Sequence, residues 1–181
     1  GSNNPTFIIA EIGLNHNGSI THCIKLIDQA KLAGADAVKL QVSAPEESYA
    51  RNTKSYKFFK KYSLNENEIL KLKNYADKKK IIFFFTAGDF KSLNLVEKFK
   101  MPAIKISSGL MTNIPLVTKA SKAGLPMIIS TGMAFKKEII DILKIVKKYN
   151  KSGTALLKCT SLYPAPDDTI NLLAIDNFIK T

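Results

Sequence analysis

Tryptophan is absent from the 181 residues, arginine occurs once, at Arg51, and cysteine twice, at Cys23 and Cys159. Two cysteines are too few for a disulfide scaffold and show no metal-ligand spacing, so a reducing, cytoplasmic setting is expected. A single arginine argues against a nucleic-acid surface, where bidentate guanidinium contacts are the rule. No window of about 18 apolar residues is free of charge, so no membrane span is expected. The start of the chain lacks the basic and apolar regions of a signal peptide, and Gly1-Ser2 reads as a tag-cleavage scar. Walker A, GxGxxG and GxSxG patterns are all missing. So are linkers, low-complexity tracts and Pro/Ser-rich hinges.

The remaining composition, 45% hydrophobic and 23% charged, suits a globular chain with a sizeable core, and the length suits one domain. The 27 basic residues outnumber the 15 acidic ones, for a net charge of +12. Nearly all are lysine. Such a surplus reflects either a compositional bias or a preference for anionic small molecules through steering.

Short apolar runs alternate with amphipathic stretches. Strands are expected at 7–10, 37–42, 81–85, 103–106, 126–129 and 154–159. Helices are expected at 20–33 (stopped by Gly34), 63–80 (capped by Ser63 or Asn65), 91–100, 115–123, 136–149 and 170–180. Strands apolar on both faces, alternating with helices, indicate a parallel α/β sheet. Only 45–61, long, polar and aromatic, breaks the rhythm. It reads as a loop, either a binding lid or a solvated face.

A parallel sheet is either open or a (β/α)8 barrel. Polar residues stand at the ends of nearly every strand: Glu11, Lys39 with Gln41, Thr86, Lys105 with Ser107-Ser108, Ser130-Thr131, and Thr160-Ser161. A barrel gathers all strand ends at one mouth, whereas an open sheet uses one switch point, so the barrel fits better. Six βα units are two short of closure. The chain is therefore expected to be a fragment, to complete itself through a partner, or to be an open sheet after all.

Lys39 and Lys105 lie within apolar strands, where an unpaired ammonium is costly. If both face one mouth they form a cationic pocket for a carboxylate or phosphate; the alternative is lysine at an edge facing solvent. Ser107-Ser108-Gly109 and Ser130-Thr131-Gly132 each place hydroxyls and glycine between a strand and a helix, which suits phosphate binding or simple turn and cap chemistry. Glu11 could act as general acid or base, or only pair with a lysine. His16 reads as a hydrogen-bonded turn residue, His22 as a surface residue on the first helix, and Cys159 as core. No His/Asp/Glu cluster has the spacing of a complete metal site.

Several segments, in order, carry a resemblance. They are Phe7-Ile-Ile-Ala-Glu-Ile-Gly13 with Asn15-His-Asn-Gly18, and Ala33-Gly-Ala-Asp-Ala-Val-Lys39 with Gln41. Ile104-Lys-Ile-Ser-Ser-Gly109 follows, with Thr112-Asn-Ile-Pro115, then Ile129-Ser-Thr-Gly-Met133 and Cys159-Thr-Ser-Leu-Tyr-Pro-Ala-Pro166. Together they resemble the N-acetylneuraminate (sialic acid) synthase family, with its legionaminate and pseudaminate relatives. The resemblance implies that 3–181 is the N-terminal part of a TIM-barrel synthase domain. It implies an enzyme that condenses phosphoenolpyruvate with an N-acetylated amino sugar such as N-acetylmannosamine, assisted by manganese or magnesium. It further implies a homodimer and no nucleic-acid or membrane partner. By the same resemblance, Lys39 and Lys105 hold the phosphoenolpyruvate anion, with hydrogen bonds from Thr86, Ser108, Ser130 and Ser161. Glu11 is the acid/base or water-orienting group, and Gln41, Tyr163 and Asn52 contact the sugar. Two departures stand out. Phe85-Thr86-Ala87-Gly88 replaces the usual Ser-Thr-Pro-Phe, and Lys158 stands where a histidine often precedes Cys-Thr. The metal-binding histidines of the family belong to later units, so no metal ligand is named here. The alternative function is a truncated, non-catalytic anion-binding barrel fragment.

Overall fold

The computed structural model describes residues 4–179. The expected scar at Gly1-Ser2 and the end of the last expected helix, at Lys180, lie outside them. The chain divides into two compact units, Gly1–Pro102 and Ala103–Thr181. Each contains three parallel strands joined by helical crossovers.

The first unit opens with β1 (Ile9–Gly13), α1 (Ile20–Leu32) and β2 (Ala37–Val42). Then come α2 (Pro45–Ser48), α3 (Lys54–Tyr62) and α4 (Glu66–Lys78), and the unit closes with β3 (Ile82–Ala87) and α5 (Phe90–Lys98). Val38, Leu40, Phe83, Phe84 and Phe85 are all buried, so β2 and β3 are covered on both faces, as parallel strands require. Helix α1 forms because Ser19 caps it, accepting from the His22 amide, and because Cys23 and Ile27 recur at helical spacing and are fully buried. Burial pushes the Cys23 thiol up to about 12, which leaves it a protonated core group. Asn65 and Glu68 form a capping box that starts α4. Of the two caps considered for that helix, Asn65 is the one used.

The stretch 45–61 is corrected from loop to two helices. Pro45 starts α2 and Thr53 caps α3, its hydroxyl accepting from the Tyr56 amide. Helix α3 buries no residue outright, so no core stripe marks it in the sequence. It is held instead by aromatic contacts, with Tyr49 stacked on Phe59 at 4.8 Å and Phe58 edge-on to Tyr62 at 4.8 Å. Strand β1 is also displaced from 7–10, leaving Phe7 and Ile8 exposed.

The second unit contains β4 (Ile104–Ile106), α6 (Ile114–Lys122), β5 (Met127–Ser130), α7 (Lys136–Tyr149), β6 (Thr154–Leu157) and α8 (Ala174–Ile179). Its core joins Ile104, Ile106 and Ile129 to Leu116 and Val117 of α6 and to Ile142 and Val146 of α7. Strand β6 is shorter than expected and mostly exposed; among the described residues it pairs with β5 alone. Cys159 therefore lies past the strand and is half-buried rather than core. The last expected helix begins only at Ala174, after a 3-10 turn at Asp167–Thr169.

One buried carboxylate ties the first unit together. Asp89 caps α5 by accepting from the Ser92 amide at 2.7 Å, and its other oxygen accepts from the Ala44 amide at 2.5 Å. Asp89→Ala is expected to cost about 2–4 kcal/mol, from the lost cap and the orphaned amide, in urea unfolding. A loss below about 0.5 kcal/mol would show that neither bond matters. A second expectation concerns pH. His16 is 1% exposed; its Nδ1 accepts from the Gly18 amide at 3.1 Å, and its buried Nε2 has no hydrogen-bond partner among the described residues. Burial and His22 hold its pKa below the ordinary 6.5, against a smaller opposing effect of Glu68. The unfolded chain then binds the extra proton, so stability falls as pH drops below 6.5 towards the native-state value. His16→Gln should flatten the stability profile between about pH 7.5 and 5.5; an unchanged slope would exclude the histidine as its source.

Candidate functional site

Each unit buries one lysine, and both are held in the same way. In the first unit Lys39 is 6% exposed, and its ammonium donates to the Thr86 hydroxyl at 2.8 Å. The register partner of Lys39 is Phe84, so Thr86 stands two residues further along the neighbouring strand. In the second unit Lys105 is also 6% exposed and donates to the Ser130 hydroxyl at 2.6 Å and to the Ile106 carbonyl at 2.8 Å. Its register partner is Ile128, so Ser130 is again two residues further on. Side chains two apart share a face of a strand. Each ammonium therefore leans towards the C-terminal end of its sheet, where the next strand supplies a hydroxyl. The alternative of solvent-facing edge lysines is excluded.

Lys39 has a second partner, which comes from β1. Glu11 is its register partner and forms an ion pair with it at 2.5 Å. The Glu11 side chain keeps 52% of its exposure, so it is a carboxylate with one oxygen side towards solvent. Register shifts between Glu11 and Gly13, a bulge at the end of β1. Gly13 takes φ +57°, and a Cβ there would come within 3.3 Å of Glu11 Oε1. Glycine thus supplies both the backbone conformation and the room for the carboxylate.

In the second unit the two hydroxyl–glycine segments are joined directly. The Gly132 amide donates to Ser108 Oγ at 3.0 Å. A Cβ at Gly132 would lie 2.8 Å from Ser161 Oγ and 3.1 Å from the Cys159 carbonyl oxygen. Glycine there permits the β5 end to touch the segment after β6, and so brings Ser108 and Ser161 to the same turn. Thr131 anchors that turn, its hydroxyl donating to the Leu157 carbonyl at 2.9 Å. The helices do not start at these hydroxyls. Asn113 caps α6, and the Glu138 carboxylate accepts from the Phe135 amide at the start of α7.

The sugar-contact residues of the resemblance are less gathered. Gln41 is the register partner of Thr86 but its side chain is exposed. Asn52 is exposed in the turn before α3, and Tyr163 is 97% exposed. His22 is exposed, as expected. Among the described residues no group of three or more His, Cys, Asp or Glu could hold a metal ion.

Sequence reasoning did not foresee the buried cap at Asp89, the full burial of His16 (read only as a hydrogen-bonded turn residue) or the hydrogen bonds of Lys158 (noted only as a departure from the family). Asp89 was legible as an Asp-x-x-Ser cap. The burial of His16 was foreshadowed only by the following Gly18, which takes φ +74°. Lys158 donates to the Thr160 hydroxyl at 2.9 Å and to the Cys159 carbonyl at 3.2 Å, and no spacing rule signals this.

With this geometry in view, the chain was compared with known proteins. The NeuB family matches residues 26–181. The chain is 31% identical over 193 residues to the human N-acetylneuraminate-9-phosphate synthase, covering 99% of this chain and 54% of that protein. It is 34% identical over 193 residues to the N,N'-diacetyllegionaminic acid synthase of Legionella pneumophila, covering 97% and 54%. Among solved structures it is similar to the N-acetylneuraminic acid synthetase of Leptospira borgpetersenii, in complex with citrate. There the TM-score is 0.93 at 39% identity, covering 97% of this chain and 61% of that one. The expected α/β class, with six parallel βα units of the TIM-barrel type, is what the structure has. The chain spans about half the length of the curated relatives it matches.

Proposed function

Because the chain belongs to the NeuB family, we propose that the protein carrying it is a transferase that joins phosphoenolpyruvate to an N-acetylated amino sugar. The sugar is of the N-acetylmannosamine type, the product a nonulosonic acid, and the second product phosphate. The observation that carries this reading is the repeated lysine–hydroxyl pair, Lys39 with Thr86 and Lys105 with Ser130. A buried ammonium whose position is already set is a ready partner for a carboxylate or phosphate oxygen.

In the reaction, C3 of phosphoenolpyruvate attacks the open-chain aldehyde carbon, and the aldehyde oxygen takes a proton. Water adds at C2, and phosphate leaves with its C–O bond broken. Lys39 and Lys105 bind and orient the anionic groups of phosphoenolpyruvate, and Thr86, Ser108, Ser130 and Ser161 complete their hydrogen bonds. Glu11 holds or moves the proton, or orients the water. Its ion pair with Lys39 fixes its position, and its solvent exposure leaves the carboxylate within reach of water. Gln41, Asn52 and Tyr163 contact the amino sugar.

A divalent manganese or magnesium ion would polarise the aldehyde as a Lewis acid. Among the described residues no group of three or more His, Cys, Asp or Glu could hold it. A cytoplasmic location and a homodimer are part of the same proposal. Among the described residues no helix is long and apolar enough to cross a membrane.

Phosphate release from phosphoenolpyruvate, with N-acetylmannosamine and manganese present, tests the activity. Binding of phosphoenolpyruvate without turnover would favour the non-catalytic anion-binding fragment instead. Lys39→Ala and Lys105→Ala should each raise the apparent constant for phosphoenolpyruvate about ten- to a hundredfold, from the loss of a charge-assisted contact of about 1.5–3 kcal/mol. Unchanged binding in both variants would remove the lysines from the site. Glu11→Gln should lower kcat far more than it changes binding of either substrate, and full activity in that variant would make Glu11 structural.

A further inference from the structure

The segment between β6 and α8 carries Ser161 and Tyr163, two of the residues assigned to substrate, yet regular structure does not hold it. Between Leu157 and the 3-10 turn at Asp167 it has no helix or strand. Both Ser161 and Tyr163 are exposed. The two ends of the loop are tied by one side-chain bond, in which the Thr160 hydroxyl donates to the Thr169 carbonyl at 3.1 Å. A hydroxyl has a single proton, and it rotates freely unless something fixes its lone pairs. The Lys158 ammonium does this by donating to the same oxygen at 2.9 Å. It also donates to the Cys159 carbonyl, the group that packs against Gly132.

We propose that Lys158 is a positioning residue for the substrate-contacting loop, acting through Thr160 and the Cys159 carbonyl to set where Ser161 and Tyr163 stand.

Lys158 is half-buried and, among the described residues, makes no ion pair with a carboxylate. The bonds found for its ammonium go to the loop itself. Lys158 helps line a cavity of about 310 Å³, beside Ile139, Ile140 and Phe178 and also Thr131 and Lys136. A half-buried ammonium is held in place by the hydrogen bonds it makes. Here those bonds close a relay, Lys158 to Thr160 to Thr169, across the base of the loop. The Cys159 carbonyl connects the same ammonium to the Gly132 turn, whose amide binds Ser108. One side chain thus keeps the loop in register with the hydroxyl–glycine segments of its unit.

This inference rests on the function proposed above, and the test separates the two. Lys158→Met keeps the aliphatic stem and removes the donor, Lys158→Arg keeps donors, and Thr160→Val removes the relay hydroxyl. Amide hydrogen exchange over 159–169, read on the protein without substrates, should speed up in the Met and Val variants and stay near wild type in the Arg variant. That readout stands even if no turnover is found. With turnover, Lys158→Met should raise KM for the amino sugar and for phosphoenolpyruvate about tenfold, through Tyr163 and Ser161 respectively, while kcat changes about twofold or less, and Arg should restore both. The Lys158→Met/Thr160→Val double variant should be no worse than Lys158→Met alone, because Lys158→Met already cuts the link through Thr160. Wild-type exchange in Lys158→Met overturns the proposal. So does fast exchange with an unchanged KM for the sugar, or full additivity in the double variant.

Discussion

An ammonium group loses far more by leaving water than a single hydrogen bond returns, and that constraint shapes the chemistry of both units. Lys39 and Lys105 sit at 6% exposure inside parallel sheets, where the surrounding strands are otherwise apolar. Each is met by a hydroxyl that the next strand places two residues further along, at a position set by sheet register. In the first unit β1 adds the Glu11 carboxylate. The arrangement leaves donors pre-aimed at the strand ends. In the proposed function, an anion at the strand ends would meet N–H groups whose orientation was set during folding, so that little reorganisation would accompany binding.

Backbone detail makes room for these side chains. A bulge and a positive-φ glycine after Glu11 let the carboxylate reach Lys39 without a clash. Gly132 lets one chain segment approach another within distances that any Cβ would block. Asp89 works at a larger scale. It fastens the segment after β2 to the start of α5, so the connection leading into α2 and α3 begins from a fixed point. Beyond that point the control weakens. Helix α3 rests on aromatic contacts, and the loop after β6 rests on a relay of polar groups rather than on apolar burial.

Much of the fold was legible in the pattern of apolar residues. Runs such as Val38-Lys39-Leu40 and Phe83-Phe84-Phe85 can only be strands covered on both faces, and α1 and α7 declare themselves through buried residues at helical spacing. Where burial is absent, the signal is absent too. Helix α3 has lysines and aromatics but no buried stripe, and so reads as loop. Strand β6 looks like its sisters in sequence, yet it ends at Leu157 and Cys159 falls beyond it. The candidate site shows the same division. Lysine within an apolar run is conspicuous, and so is the Glu11 motif. Lys158 looks like an ordinary surface lysine until its two hydrogen bonds are seen.

The amino-acid order by itself determined the alternation of strands and helices, the class of fold and the family, because these depend on local periodicity and on short motifs read in series. Tertiary structure alone decided which groups touch. Thr86 lies 47 residues from Lys39, and Ser130 lies 25 from Lys105. Hydrogen bonds across such separations follow from strand register, and register emerges only when whole faces are buried together. Whether a lysine is a solvated charge or a buried, aimed donor is therefore a property of the packed sheet, not of the residues beside it in the chain.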